Sequence, residues 1–176
     1  LDFCTTDEGD VFIVMEYLEG QDLREMLRGK GAFDPNTAVV LMKQILAGLQ
    51  SAHAQDIVHR DLKAENVFVT TAHGEPFVKI LDFGISKLRY TTTPGGVSLT
   101  QTVVVIGTPH YLAPEQVEGG ANINQRTDIY AAGVLFYEML TGTLPFSGNN
   151  ALELMWKHVH DPVESFAQRC PEKTIA

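Results

Sequence analysis

His59-Arg60-Asp61-Leu62-Lys63-Ala64-Glu65-Asn66 is followed at a short interval by Asp82-Phe83-Gly84. An acid, a lysine and a carboxamide fall within six positions, and a second acid stands before a phenylalanine and a glycine. Transfer of a phosphoryl group needs a hydroxyl to be oriented and a divalent metal to be held against triphosphate. Asp61 can face the hydroxyl, and Lys63 can reach the transferred phosphate as a point charge. Asn66 and Asp82 offer hard oxygen ligands of the kind Mg²⁺ prefers.

Written as patterns, the two stretches are H-R-D-L-x-x-x-N and D-F-G, and the chain resembles the eukaryotic-type (Hanks-type) protein kinase family. Either tripeptide alone could be a loop accident; both in order, with Lys63 and Asn66 at the matching offsets, are not. The resemblance implies that Asp61 orients the acceptor hydroxyl and takes its proton, with positioning and electrostatics supplying most of the rate. ATP is then the phosphate donor, with Mg²⁺ (or Mn²⁺) held by Asn66 and Asp82. His59 and Phe83 match members of the family's stacked hydrophobic spine, so both are expected to be structural. His53 reads as packed rather than catalytic.

Further motifs extend the likeness over nearly the whole chain. Gly107-Thr108-Pro109-His110-Tyr111-Leu112-Ala113-Pro114-Glu115 resembles the end of a kinase activation segment. Thr108 matches the residue that bridges the catalytic aspartate and lysine, and with Lys63 it implies serine or threonine acceptors rather than tyrosine. Glu115 matches a structural glutamate whose arginine partner lies further along in the family. Asp128 and Gly133 match the central buried helix, where the aspartate anchors the catalytic-loop backbone; the same residue also suits a helix N-terminal dipole. Met15-Glu16-Tyr17-Leu18 resembles the hinge that pairs with adenine, with Met15 at the gatekeeper position, Asp22 at a ribose-contacting position and Phe68 as the apolar floor.

Arg60 precedes the catalytic aspartate, and in the family such an arginine pairs with a phosphate on the activation loop. The stretch Ser98-Leu99-Thr100-Gln101-Thr102-Val103-Val104-Val105-Ile106 closely resembles bacterial receptor-like Ser/Thr kinases, which autophosphorylate paired threonines there. Thr100 and Thr102 are therefore expected phosphosites, and a homodimer for autophosphorylation is a further expectation.

The rest of the chain fits one domain. Its 176 residues suffice for a hydrophobic core. A formal charge of −9, from 13 basic and 22 acidic side chains, argues against a nucleic-acid-binding surface. Cys4 and Cys170 lack metal-site spacing and read as reduced intracellular thiols. The near-apolar run Ile129 to Leu140 contains Glu138, is too short to span a bilayer, and reads as a buried helix. A cytoplasmic location is the expectation, although an anchor outside these residues is compatible with it.

Local patterns predict a mainly α architecture with small β elements. Val11 to Met15 reads as a buried strand after the turn-like Asp7-Glu8-Gly9-Asp10. A short helix is expected over Asp22 to Arg28, closed by Gly29-Lys30-Gly31. Asp34 caps a helix with Pro35 at its first position, and Ala38, Leu41, Met42, Ile45, Leu46 and Leu49 mark its buried face. Strands are expected at Val67 to Val69 and Val78 to Leu81 around the turn His73-Gly74-Glu75-Pro76, which would bring Asn66 and Asp82 to one end of a hairpin. Ser86 to Gln101 reads as an exposed, mobile loop. Helices are expected from Gln125 to Thr141, ended by Gly142, and from Asn150 to about Val159.

No G-x-G-x-x-G loop and no V-A-I-K strand precede Val11. The resemblance therefore places residues 1–20 at the end of the small lobe and the hinge, and 21–176 in a large lobe lacking its last helices. On that reading the isolated chain binds ATP weakly and turns over little. A kinase-fold regulatory or docking module without catalysis is the alternative, and the intact set Asp61, Lys63, Asn66 and Asp82 speaks against it.

Overall fold

The structure is a computed structural model that describes residues 2–6, 8–83, 109–119 and 122–171. The stretch from Ser86 to Gln101, together with Gly84, Thr100, Thr102 and Thr108, lies outside the described residues.

The chain opens with β1 (Asp2–Thr5) and β2 (Val11–Val14), an antiparallel pair in which Cys4 faces Phe12. The β-branched run does form a strand, but not a buried one. Val11 is 64% exposed and Met15, just beyond the strand, 55%. β2 pairs with β1 alone and packs no buried core residue, so its apolar faces stay open among the described residues.

After a connector, β3 (Gln21–Asp22) leads into α1 (Leu23–Lys30), and Asp22 caps the helix by accepting the Glu25 N–H at 2.8 Å. Gly29 and Lys30 are helical, and Gly31, at φ 77°, ends the element. The second helix, α2 (Pro35–His53), is capped by Asp34, which accepts the Thr37 N–H at 3.0 Å. Ala38, Leu41, Met42, Ile45 and Leu49 form its buried face. Leu46 is 39% exposed: it flanks the i, i+3, i+4 stripe and points past the edge of the core.

A short 3₁₀ turn (Ala64–Asn66) precedes β4 (Val67–Ala72) and β5 (Glu75–Ile80). Ala72 pairs with Glu75, so the hairpin loop is the two residues His73 and Gly74, both at positive φ, as a right-twisted two-residue turn requires. Glu75 and Pro76 belong to the strand, not to the turn. β3 pairs with the other edge of β4, giving the order β3-β4-β5. Gln44 of α2 ties the hairpin down, donating to Pro76 O and accepting from Val78 N, both at 2.9 Å.

The remaining helices are α3 (Pro114–Val117), α4 (Gln125–Thr141), α5 (Ala151–His160) and α6 (Phe166–Arg169). Gly142 ends α4 in the left-handed conformation with its N–H on Glu138 O. The core joins α1, α2, α4 and the β4-β5 hairpin through Leu23, Leu41, Ile45, Leu49, Val67, Leu135 and Met139, each about fully buried. Each such side chain contributes roughly 1.5–3 kcal/mol relative to exposure. Among the described residues no helix is long and apolar enough to cross a membrane.

Candidate active site

Asp128 organises the loop. It sits in the first turn of α4, 1% exposed, and its carboxylate meets three donors. Oδ2 accepts the His59 N–H at 2.8 Å and lies 2.7 Å from His53 Nε2, while Oδ1 accepts the Arg60 N–H at 2.8 Å. A buried carboxylate is tolerable only when so bonded. His53 thus does more than pack: it completes the Asp128 shell.

His59 is fully buried, with its two ring nitrogens in different roles. Nδ1 accepts the Asp61 N–H at 3.3 Å, so Nε2 carries the proton and donates to Leu81 O at 2.8 Å. Its ring also meets Phe83 edge-on, with centroids 4.7 Å apart at 62°. One imidazole therefore joins the Asp61 backbone to the residue before Asp82.

Arg60 and Asp82 adopt left-handed backbone at φ 69° and 60°. For a non-glycine residue this conformation costs about 1–3 kcal/mol and persists only where surrounding contacts over-determine it. At Arg60 those contacts are Asp128 on the N–H and Gln116 Nε2, which donates to its carbonyl at 2.9 Å. Arg60 Nε is buried without a hydrogen-bond partner among the described residues.

The candidate catalytic side chains converge beyond this scaffold. Lys63 Nζ lies 2.9 Å from Asp61 Oδ2. Asn66 Nδ2 donates to Asp61 O at 2.8 Å and approaches Asp61 Oδ2 at 3.4 Å. With its nitrogen engaged by Asp61, Asn66 has its carboxamide oxygen left to serve as a ligand. Asn66 O accepts the Leu81 N–H at 2.8 Å, which brings the exposed Asp82 to the same end of the hairpin. No group of three or more His, Cys, Asp or Glu forms a metal cage among the described residues. A carboxylate plus a carboxamide oxygen is nevertheless the donor set Mg²⁺ accepts when phosphates complete its shell. Asp61 and Lys63 also line a cleft with Arg60, Tyr111, Leu112 and Gln116.

On the other side of the hairpin, Asp22 and Phe68 face each other in the β3-β4 register. Gly20, at φ 151°, lets the connector pass against β4: a Cβ there would lie 2.2 Å from Val69 O. Met15 and Glu16 are exposed and Leu18 half-buried, and Glu16 pairs with Lys79 of β5. Glu115, half-buried in α3, accepts the Thr127 hydroxyl at 2.6 Å.

Motif reading passes over one cluster. Arg24 donates to Glu65, Glu138 and Tyr111, and Tyr111 donates to Glu138. Burial lowers the Arg24 pKa, but the hydrogen bonds to Glu138 and Glu65 outweigh it and raise the value. Burial opposes ionisation of Glu65, yet Arg24 holds its carboxyl below the usual range. Burial and Glu138 push Tyr111 upward. The one visible signal in the sequence is a carboxylate, Glu138, inside an apolar run.

The protein kinase domain family matches residues 1–175. The chain is 40% identical over 177 residues to serine/threonine-protein kinase pkn3 of Myxococcus xanthus, covering all of this chain and 32% of that protein. It is 40% identical over 148 residues to serine/threonine-protein kinase PknL of Mycobacterium tuberculosis, covering 84% of this chain and 35% of that one. Against serine/threonine-protein kinase PrkC of Bacillus subtilis the identity is 39% over 154 residues, 87% of this chain and 22% of that protein. The chain thus spans about a third or less of the length of these relatives. With a family match that runs almost end to end, the chain belongs to the protein kinase domain family.

Proposed function

We propose that the protein carrying this chain transfers the γ-phosphate of ATP to serine or threonine hydroxyls of proteins. The observation that carries this reading is the hydrogen-bonded set Asp61, Lys63 and Asn66, with Asp82 brought alongside through Asn66 and Leu81. Relatives named as serine/threonine-protein kinases support the acceptor class. Residues 1–20 serve as the end of the small lobe and the hinge, and 21–176 as large lobe.

In this reading Asp61 orients the acceptor hydroxyl and receives its proton. The hydroxyl oxygen bonds to the γ-phosphorus as the bond to the β–γ bridging oxygen breaks, and ADP leaves. Lys63 stands beside Asp61 to balance charge on the transferred phosphoryl group, and the family resemblance assigns Thr108 the role of bridging the two. Asn66 and Asp82 would hold Mg²⁺ or Mn²⁺, which supplies neutralisation of the phosphate oxygens when bound. Met15, Glu16 and Leu18 take the adenine edge, Phe68 lies under it, and Asp22 contacts the ribose.

Arg60 is the regulatory group. Its Nε, buried without a partner among the described residues, supports capture of a phosphate on Thr100 or Thr102, since a buried N–H left unpaired is costly. Mass spectrometry of the active full-length protein should find one or both threonines phosphorylated by the protein itself; two unmodified threonines would remove this part of the reading. For the transfer itself, Asp61→Asn should cut phosphorylation of a Ser/Thr peptide by about 10²–10⁴-fold while ATP binding persists. Equal rates for wild type and Asp61→Asn would favour a docking module instead.

A further inference from the structure

The Arg24 cluster plays no part in the roles above. Arg24 is the second residue of α1, and each of its three nitrogens engages a different element. Nε donates to Glu65 Oε1 at 2.9 Å in the 3₁₀ turn, Nη1 to Glu138 on α4, and Nη2 to the Tyr111 hydroxyl at 2.7 Å ahead of α3. The hydroxyl in turn donates a hydrogen bond to the second Glu138 oxygen, which closes a ring of three groups. The Arg24 and Glu138 side chains are 18% and 4% exposed, whereas Glu65 is 45% exposed.

Two arms of this guanidinium end next to groups of the candidate active site. Glu65 immediately precedes Asn66, whose carboxamide holds Asp61. Tyr111 lines the cleft that contains Asp61 and Lys63. A planar guanidinium presents its donors in a fixed fork, so contacts at three corners fix three elements relative to one another. An ammonium at the same place could neutralise Glu138 but could not span all three.

We propose that Arg24 is a positioning residue for phosphoryl transfer: by gripping Glu65 and Tyr111 together, it sets the spacing between the catalytic loop and the facing wall of the cleft. The proposal rests on the kinase reading above. Its rival is a purely structural role, in which Arg24 merely neutralises the buried Glu138. The two separate at Glu65, because Glu65→Gln weakens the exposed arm and leaves the Glu138–Tyr111 ring intact.

The test is steady-state kinetics of the full-length protein with Mg²⁺-ATP and a Ser/Thr peptide, for wild type, Arg24→Lys, Arg24→Met and Glu65→Gln. A misplacement of reacting groups by about 1 Å can cost 10²-fold, so kcat should fall roughly 10-fold or more in Arg24→Lys and Glu65→Gln, with KM for ATP within about threefold. Arg24→Met should fall further and also melt earlier. Should Arg24→Met fail to fold, Glu65→Gln still decides. If Glu65→Gln and Arg24→Lys keep kcat within about twofold of a working wild type, the positioning role is wrong and only the structural one survives. Absence of any wild-type turnover would overturn the kinase reading and this proposal together.

Discussion

The Asp128 carboxylate accepts the backbone N–H of Arg60 at 2.8 Å, and the residue so gripped is held at φ 69°. The acid therefore shapes the loop on which Asp61 stands, although it comes from a helix 68 residues further along the chain. Asp128→Asn keeps the volume but not the charge. Whichever way the carboxamide turns, its NH₂ faces one of the donors that the carboxylate now accepts. Urea unfolding should show a loss of about 2–3 kcal/mol, the scale of hydrogen bonds to charged groups. Phosphotransfer should fall with it, because the Arg60 backbone relaxes.

Gly20 supports the proposed nucleotide side in a different way. A methyl group at this position would meet Val69 O at 2.2 Å, on backbone at φ 151°. Relief requires the connector to move off β4, which breaks the register that sets Asp22 opposite Phe68. Gly20→Ala should cost about 1–3 kcal/mol of stability. KM for ATP should rise roughly 10-fold, equivalent to about 1.4 kcal/mol, with a smaller change in kcat.

Acid should weaken the fold through His158. Its ring is buried against Tyr130 and Phe146, with Nδ1 2.8 Å from the Tyr130 hydroxyl. Burial lowers its pKa to about 4. Hydrogen bonding from the His110 backbone opposes this shift, and the charge of the His110 ring, itself depressed by burial, adds to it. A lowered folded pKa means that protonation opposes folding. The His158 contribution is complete above its ordinary value of 6.5 and drains away as the pH falls towards 4. After allowance for solvent screening, the loss is on the order of 2 kcal/mol. Thermal melts of wild type and His158→Gln from pH 7 to 4 should converge at the acid end, since the glutamine removes the titration while keeping a partner for Tyr130.

Much of the architecture is legible in the sequence where local chemistry decides it. Asp34 and Pro35 open α2, Gly142 closes α4, and the catalytic loop and hairpin together bring Asn66 and Asp82 to one end. Legibility ends where the deciding partner is remote. Val11 to Val14 has the composition of a buried strand, yet burial depends on what lies against it, and its faces remain open. Leu46 satisfies helical spacing but sits at the margin of the stripe. The Arg24 cluster joins residues 41, 87 and 114 positions apart, so no local period could announce it. His53 similarly reads as packing until Asp128, 75 residues away, is placed beside it.

The central claim is that Asp61, held by Asn66 and set beside Lys63, drives transfer of phosphate to a Ser/Thr hydroxyl. Its most direct measurement is Mg²⁺-dependent transfer of labelled γ-phosphate from ATP to a Ser/Thr peptide by the full-length protein, wild type against Asp61→Asn. The account predicts turnover in the wild type and a fall in kcat of about 10²–10⁴-fold in the variant, with KM for ATP little changed. Equal turnover in the two proteins, or none in the wild type under saturating Mg²⁺-ATP, would contradict it.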